Sequence, residues 1–129
     1  MPSQITARRG RRSRRSLLLA AASLGIAPFA AADTWDNSSS NNQWSTLSNW
    51  ADNSEPTNTD DVIFPTPIPG GLANIALSSG EQAVSITLND NYTLAGGSVT
   101  LFGSPGLISV ASGKTATITF QTTAENKRR

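Results

Sequence analysis

The sequence predicts an all-β fold, and three observations support this. Across residues 73–123, apolar residues alternate with polar or small ones at period two, which is the pattern of strands with one buried face. Turn-forming residues interrupt the alternation every six to ten residues or so, and no helical periodicity competes with it. The predicted turns are Ser79-Gly80, Asn89-Asp90-Asn91, Gly96-Gly97, Gly103-Ser104-Pro105-Gly106 and Ser112-Gly113.

An export signal is predicted at the N-terminus. Six arginines lie within the first fifteen residues, and an uncharged apolar run of about thirteen residues, Leu17–Phe29, follows them. This run is too short to span a bilayer, which takes about 20 helical residues. Alanines at 30–32 complete the order of basic region, apolar core and A-x-A site that is typical of a bacterial secretory signal. We therefore expect residues 1–32 to be removed by cleavage after Ala32.

Two export routes fit this signal. Arg14 and Arg15 lie in the run Ser-Arg-Arg-Ser-Leu-Leu, which resembles the twin-arginine consensus, although Leu19 stands where lysine is frequent. An arginine-rich Sec signal contains such a pair equally well, so the sequence leaves the route open. A basic arm that binds nucleic acid would explain the arginines but not the apolar run that follows. The expected location is the cell surface, the periplasm or the extracellular space.

Charge and composition exclude several classes of function. After residue 32 the chain has four basic and nine acidic residues, a net charge of −5, which disfavours nucleic acid and anionic membranes as partners. We therefore expect membrane contact only through the export signal. Cysteine and histidine are absent, which excludes disulfides, Cys/His zinc sites and histidine-dependent catalysis within this chain. The chain is predicted to be non-enzymatic, with no catalytic residue, metal or cofactor.

The segment 33–64 is predicted to be an irregular cap held together by aromatic rings. It contains all three tryptophans, Trp35, Trp44 and Trp50, separated by Asp, Asn, Ser, Thr and Gln. Such residues favour turns, whereas each tryptophan has about 200 Å² of surface to bury. The first predicted strand, Val62–Phe64, ends the cap before Pro65.

The tryptophans allow two interpretations. Together with Tyr92 they are candidates for a platform on which sugar rings stack. The alternative, which we favour, is that they plug the open N-terminal end of the β-structure, because the first layer of a stack has no neighbour on that side.

Four acidic residues allow a similar choice. Asp60 and Asp61, with Asp52 and Glu55, are candidates for a carboxylate pair in glycoside hydrolysis or for calcium ligands. Adjacent residues of a strand point to opposite faces, however, so Asp60 and Asp61 do not easily converge. Roles in turns and caps are therefore favoured.

A Pro/Gly connector is predicted at 65–72, β-strand repeats at 73–123 and a basic tail at 124–129. The β-strand repeats fit two architectures. A shift of about 22 residues aligns four pairs of apolar positions: Leu77 with Val99, Ile86 with Ile108, Leu88 with Val110 and Leu94 with Ala116. Such spacing suits the coils of a parallel β-helix (β-solenoid). A small antiparallel β-sandwich predicts the same strands and turns, so periodicity alone leaves the two open.

A resemblance favours the first architecture. The mature sequence resembles the N-terminal region of exported proteins with autotransporter-associated β-strand repeats. The resemblance lies in Trp35, Trp44, Asn49-Trp50, Pro56 and Asp60-Asp61-Val62-Ile63-Phe64, followed by the strand-rich segments Ile86–Leu94, Gly97–Leu101 and Gly106–Ile118. The resemblance implies a parallel β-helix passenger, displayed at or shed from the cell surface, and it implies no catalytic residues. Members of that family run for many hundreds of residues, so we expect this chain to be a truncated N-terminal piece.

The predicted function is that of an exported surface or secreted protein, structural or adhesin-like. Expected partners are a cell-envelope or extracellular polysaccharide and other copies of the chain, joined through the open end of the last coil. The main alternative is a small secreted carbohydrate-binding module that uses Trp35, Trp44 and Trp50 for stacking. A fragment of a β-helical polysaccharide lyase or hydrolase is disfavoured, because no arginine lies between Arg15 and Arg128 to neutralise an acidic substrate.

Overall fold

The computed structural model describes residues 31–124, and this part of the chain is all-β. The predicted arginine-rich and apolar parts of the signal, with Arg14 and Arg15, and residues 125–129 of the predicted basic tail lie outside the described residues. Within the described residues no helix is long and apolar enough to cross a bilayer. The strands are β1 (Ala31–Thr34), β2 (Asp60–Phe64), β3 (Asn74–Leu77), β4 (Glu81–Ala83), β5 (Ser85–Leu88), β6 (Tyr92–Leu101), β7 (Leu107–Val110) and β8 (Ala116–Ala124), with short 3-10 helices at Leu47–Asn49 and Pro69–Gly71.

Two parallel sheets contain all eight strands. The first sheet has the order β1-β2-β5-β7. In the second, the long strand β6 pairs with β3 and then with β4 along one edge, and with β8 along the other. Every strand pair between residues 31 and 124 is parallel. This pairing contradicts the antiparallel sandwich, whose neighbouring strands would run in opposite directions.

The register confirms two of the four predicted alignments. Ile86 pairs with Ile108 and Leu88 with Val110, as the shift of 22 residues predicts. Leu77, however, pairs with Gly96 rather than Val99. Leu94 pairs with Ile118 rather than Ala116, because the number of residues between paired strands differs from one pair to the next.

The core consists of the inward-facing positions of both sheets. Alternate residues of β2, β3, β5 and β6 are buried, whereas the residues between them are less buried. Each fully buried aliphatic side chain contributes about 1.5 to 3 kcal/mol relative to an exposed one. Paired strands place these residues in stacks such as Val62 and Ile86, which the partly buried Ile108 continues. The period-two alternation of the sequence thus determines which strand residues face the core.

A pair of glycines lies inside β6, where the sequence predicts a turn. The strand continues through Gly96 and Gly97, and its pairing with β8 is irregular between Ala95 and Ser98. A Cβ on Gly97 would overlap the carbonyl oxygen of Ser78 in the connection between β3 and β4. Gly96 has a φ of 118°. The glycines therefore allow the chain to approach this connection closely, and they do not end the strand.

The strands β7 and β8 leave open edges within the described part of the chain. β7 is the last strand of its sheet, and β8 pairs only with β6. Leu107, Val110 and Ile118 on these strands are large apolar residues that are exposed. The stacks of buried side chains thus end in contact with solvent at β7 and β8.

Candidate functional site

The most prominent feature of the N-terminal segment is a cluster of buried aromatic rings. Trp35, Trp44 and Trp50 are each 0% exposed. Trp50 packs edge-to-face against both of the others, with ring centroids 5.1 Å from Trp35 and 5.0 Å from Trp44. All three contact Phe64 of β2 at 5.7 to 6.0 Å, and Phe64 in turn contacts Tyr92 at 5.2 Å. A continuous aromatic layer therefore joins the segment before β2 to the core.

Backbone hydrogen bonds attach this segment to both sheets. Trp35 N donates to Ile63 O at 2.9 Å on the first sheet. Trp44 N donates to Ala76 O at 2.9 Å on the second. Inside the cluster, Trp50 Nε1 donates to Trp44 O at 2.7 Å, whereas Trp35 Nε1 and Trp44 Nε1 have no partner among the described residues. The segment is thus an integral part of the fold.

The burial of the tryptophans contradicts their role as an exposed stacking platform. A sugar ring needs one free face of an aromatic side chain, and Trp35, Trp44 and Trp50 have no exposed surface. Tyr92 is also buried, and its hydroxyl donates to Pro65 O at 2.7 Å. Each of these rings is large enough that packing it against the core outweighs leaving it in water. The three indole rings are part of the buried hydrophobic core.

Asn49 organises the polar half of the same segment, and sequence reasoning did not assign it a role. It is fully buried, and its Nδ2 donates to Asn41 Oδ1 at 2.7 Å and to Gln43 O at 2.9 Å. Its Oδ1 accepts hydrogen bonds from Ser39 N and Ser39 Oγ. The signal in the sequence is its position directly before Trp50, and its side chain links this position to Ser39, Asn41 and Gln43.

The acidic residues considered as catalytic or calcium-binding groups have local structural roles. Asp60 Oδ2 accepts from Thr57 N at 2.8 Å and Thr57 Oγ1 at 2.6 Å. Asp52 Oδ1 accepts from Ser54 N, and Asp61 Oδ1 accepts from Ser85 Oγ on the neighbouring strand. Within residues 31–124, no three acidic side chains are grouped as metal ligands would be.

Glu55 instead pairs with Glu81, a residue that sequence reasoning missed. The two line a cavity of about 240 Å³ together with Pro56, Thr57, Gly80 and Gln82. Glu81 is 5% exposed, and its Oε1 accepts from Ser78 N at 2.9 Å. Burial and the hydrogen bond with Glu55 raise the pKa of Glu81 to about 8. At neutral pH Glu81 is therefore mostly protonated, where it lies beside Glu55 of the loop before β2.

Asp33 in β1 is a second buried carboxyl group, and it has no hydrogen-bond partner for Oδ1 among the described residues. Burial, followed by the negative charges of Asp52, Asp60 and Asp36, raises the pKa of Asp33 to about 7. No basic residue is among the causes of this shift. Asp33 directly follows the predicted cleavage site.

Comparison of the chain with models of protein families, with curated proteins and with solved structures found no match. The resemblance to autotransporter-associated repeats therefore stays a prediction. The functional interpretation depends on the arrangement of the residues themselves.

Proposed function

We propose that the chain is the N-terminal part of an exported, non-enzymatic β-helix that acts as a structural or adhesin-like passenger at the cell surface. The observation that carries the proposal is the parallel stacking of strands along the sequence. β2, β5 and β7 follow one another in one sheet, and β6 and β8 in the other. A chain that alternates between two parallel sheets in this order forms successive coils.

The aromatic cluster fits the first end of such a coil stack. The segment before β2 covers Phe64 with three indole rings and bonds to both sheets. In a β-helix the first coil needs such a cover, because no preceding coil buries its apolar face. The opposite end, at β7 and β8, has open edges to which further parallel strands can pair.

The absence of catalytic function is supported by the use of the polar residues. Asp52, Asp60 and Asp61 accept hydrogen bonds from their own turns and strands. The sequence has no histidine or cysteine. A structural role leaves the exposed strand faces as the surface for polysaccharide or other envelope components. Because the tryptophans are buried, the carbohydrate-binding module gains no support.

Duplication of one coil tests the architecture. Ser85 pairs with Leu107, so a second copy of residues 85–106 in the full chain inserts one complete coil. A β-helix accommodates this coil, and the variant is expected to remain β-rich and to melt at or above the temperature of the wild type. The matched control duplicates residues 85–95 only, which shifts the later strands out of register and is expected to unfold them. Loss of cooperative melting in both variants would contradict the β-helix.

Export and display are tested in cells with the full chain carrying a C-terminal epitope. The proposal expects the epitope outside the cytoplasm, accessible to protease added to intact cells. Replacing Arg14 and Arg15 by lysine distinguishes the routes, because the twin-arginine route depends on the pair and the Sec route requires only positive charge. Retention of the wild-type chain in the cytoplasm would contradict the proposal.

A further inference from the structure

Among the described residues, Asp33 occupies a position that is electrostatically unfavourable for its carboxylate. Its side chain is 6% exposed, and Oδ1 has no hydrogen-bond donor within residues 31–124. The negative charges of Asp52, Asp60 and Asp36 act on it. A hydrogen bond with the Thr34 backbone lowers the pKa of the carboxyl group, but a buried carboxylate oxygen without a donor costs free energy, and nearby like charges increase that cost. A positive charge next to this carboxylate would lower that cost.

The folded part of the chain does not supply that charge from a side chain. Between residues 33 and 124 the sequence contains a single basic residue, Lys114. Its Nζ lies 2.8 Å from Asp90 Oδ1, and this ion pair uses it elsewhere. Asp33 is thus surrounded by acidic neighbours in a part of the chain that has no second cation.

We infer that removal of the export signal creates the missing cation: the new α-ammonium group of Asp33 pairs with the aspartates around it, so that processing stabilises the first strand. This inference rests on the proposed export function and on the cleavage after Ala32 that the sequence predicts for its signal. The peptide nitrogen of Asp33 is neutral before cleavage. It lies three bonds from the carboxyl carbon of the same residue, so covalent geometry already holds the two groups close together.

The chemistry of the step is ordinary peptide hydrolysis. One water molecule adds across the bond between Ala32 and Asp33. The carboxylate leaves on Ala32 with the signal, and the amine that stays on Asp33 takes up a proton below its ordinary pKa of about 8. The site thereby gains one positive charge without any change of side chain.

The structure permits this cleavage at a small loss of contacts. Ala31 and Ala32 are exposed, and they contribute only the pairs with Asp60 and Asp61 to β1. Asp33 and Thr34 keep their pairs with Val62 and Ile63. The following residue, Trp35, remains bonded to Ile63 O and buried in the aromatic cluster.

The test uses the full chain in detergent, before and after treatment with purified bacterial signal peptidase. N-terminal sequencing identifies the cleaved bond. The α-amino group of the product is then labelled by reductive methylation with ¹³C and titrated by NMR, in the wild type and in Asp33→Asn. An ion pair is expected to raise the α-amino pKa by about one unit or more over that of an unfolded peptide labelled in the same way. The shift should be smaller in Asp33→Asn. Cleavage should also raise the melting temperature more in the wild type than in the variant.

The outcomes separate the two hypotheses. Cleavage elsewhere, or none, contradicts the export signal of the proposed function, and the inference falls with it. Cleavage after Ala32 with an ordinary α-amino pKa, in a folded or an unfolded product, overturns the inference alone. An equal shift in the wild type and in Asp33→Asn also overturns it, because the buried carboxylate would then have no part in the pairing.

Discussion

At the scale of the single residue, Asn49 shows how one polar side chain maintains an aromatic cap. Its amide makes four hydrogen bonds while fully buried. Removing one partner leaves the others buried and unsatisfied, which costs about 1 to 3 kcal/mol per group. We expect Asn49→Ala to lower the free energy of unfolding by about 3 kcal/mol. The measurement is urea unfolding followed by tryptophan fluorescence, with the exposed Asn58→Ala as the control; equal stability of the two variants would contradict the role of Asn49.

The tryptophans differ from one another in one hydrogen bond. Trp50 Nε1 donates to Trp44 O, whereas the indole nitrogen of Trp35 has no partner in the described chain. Both rings are fully buried, so replacement by phenylalanine leaves a comparable cavity at each position. We expect Trp50→Phe to destabilise the fold by about 1 kcal/mol more than Trp35→Phe, the net contribution of one hydrogen bond. Thermal unfolding by circular dichroism measures the difference, and the reverse order would refute the assignment.

The pair formed by Glu55 and Glu81 makes stability depend on pH. The pKa of Glu81 is raised from 4.5 to about 8 in the folded state, so the folded chain binds more protons than the unfolded chain between these values. The contribution of Glu81 to the free energy of unfolding should therefore fall as pH rises through this window, by at most about 1.4 kcal/mol per pH unit. Glu81→Gln should reduce the slope, with the contribution of Asp33 remaining, whereas Thr59→Ala in the neighbouring exposed loop should not change it. Urea unfolding at pH 5, 6.5 and 8 tests this, and an unchanged slope in Glu81→Gln would show that the pKa of Glu81 is not raised in the folded state.

At the scale of the element, β6 shows both what the sequence predicts and what it does not. The alternation around Leu94 and Leu101 correctly predicts buried strand positions. Gly96-Gly97, however, was predicted to be a turn, and it is an irregularity inside one strand of ten residues. A local pattern cannot distinguish the two, because the glycines are required by the connection at Ser78, about twenty residues earlier in the chain.

This packing predicts a steric asymmetry between glycines. Gly97→Ala places a Cβ against the backbone oxygen of Ser78, which has to move. Gly113 has a φ of 75° but no heavy atom within 4 Å of an added Cβ. We expect Gly97→Ala to lower the free energy of unfolding by about 3 kcal/mol or more. Gly113→Ala should lower it by only about 1.5 kcal/mol, the cost of a left-handed backbone conformation. Chemical unfolding of both variants provides the comparison; a smaller loss for Gly97→Ala would contradict the close approach.

At the scale of the molecule, the sequence predicts the fold class better than the site. Period-two alternation determines which residues are buried, and it correctly predicts Val62–Phe64 as a strand and the pairs of β5 with β7. The candidate site depends on long-range contacts instead. Glu55 meets Glu81, and Asp33 lies among Asp36, Asp52 and Asp60, because strands distant in sequence pair side by side. Neither the raised pKa of Glu81 nor the buried carboxylate of Asp33 has a local signature in the sequence.

The open edges of β7 and β8 lead to a prediction for the whole molecule in solution. Edge strands are usually protected by charged residues, yet residues 115–124 contain none, and Ile118 is 38% exposed. At the opposite end the aromatic cap covers the core, and the acidic residues near Asp33 would repel those of a second copy. Two copies should therefore associate through their β7 and β8 ends. We expect concentration-dependent association of the full chain in sedimentation velocity, measured in detergent below its micelle-forming range. Ile118→Lys should reduce this association because it places a charge on the edge.

Leu47→Lys is the matched control for this prediction. Leu47 lies in the cap and is an exposed large apolar residue, 54% accessible, so its replacement changes charge and surface hydrophobicity in the same direction. If association depends on the strand edges, Leu47→Lys should behave as the wild type while Ile118→Lys stays monomeric. Equal loss in both variants would indicate nonspecific hydrophobic association. A wild-type chain that is monomeric at all concentrations would show that these edges do not pair with a second copy.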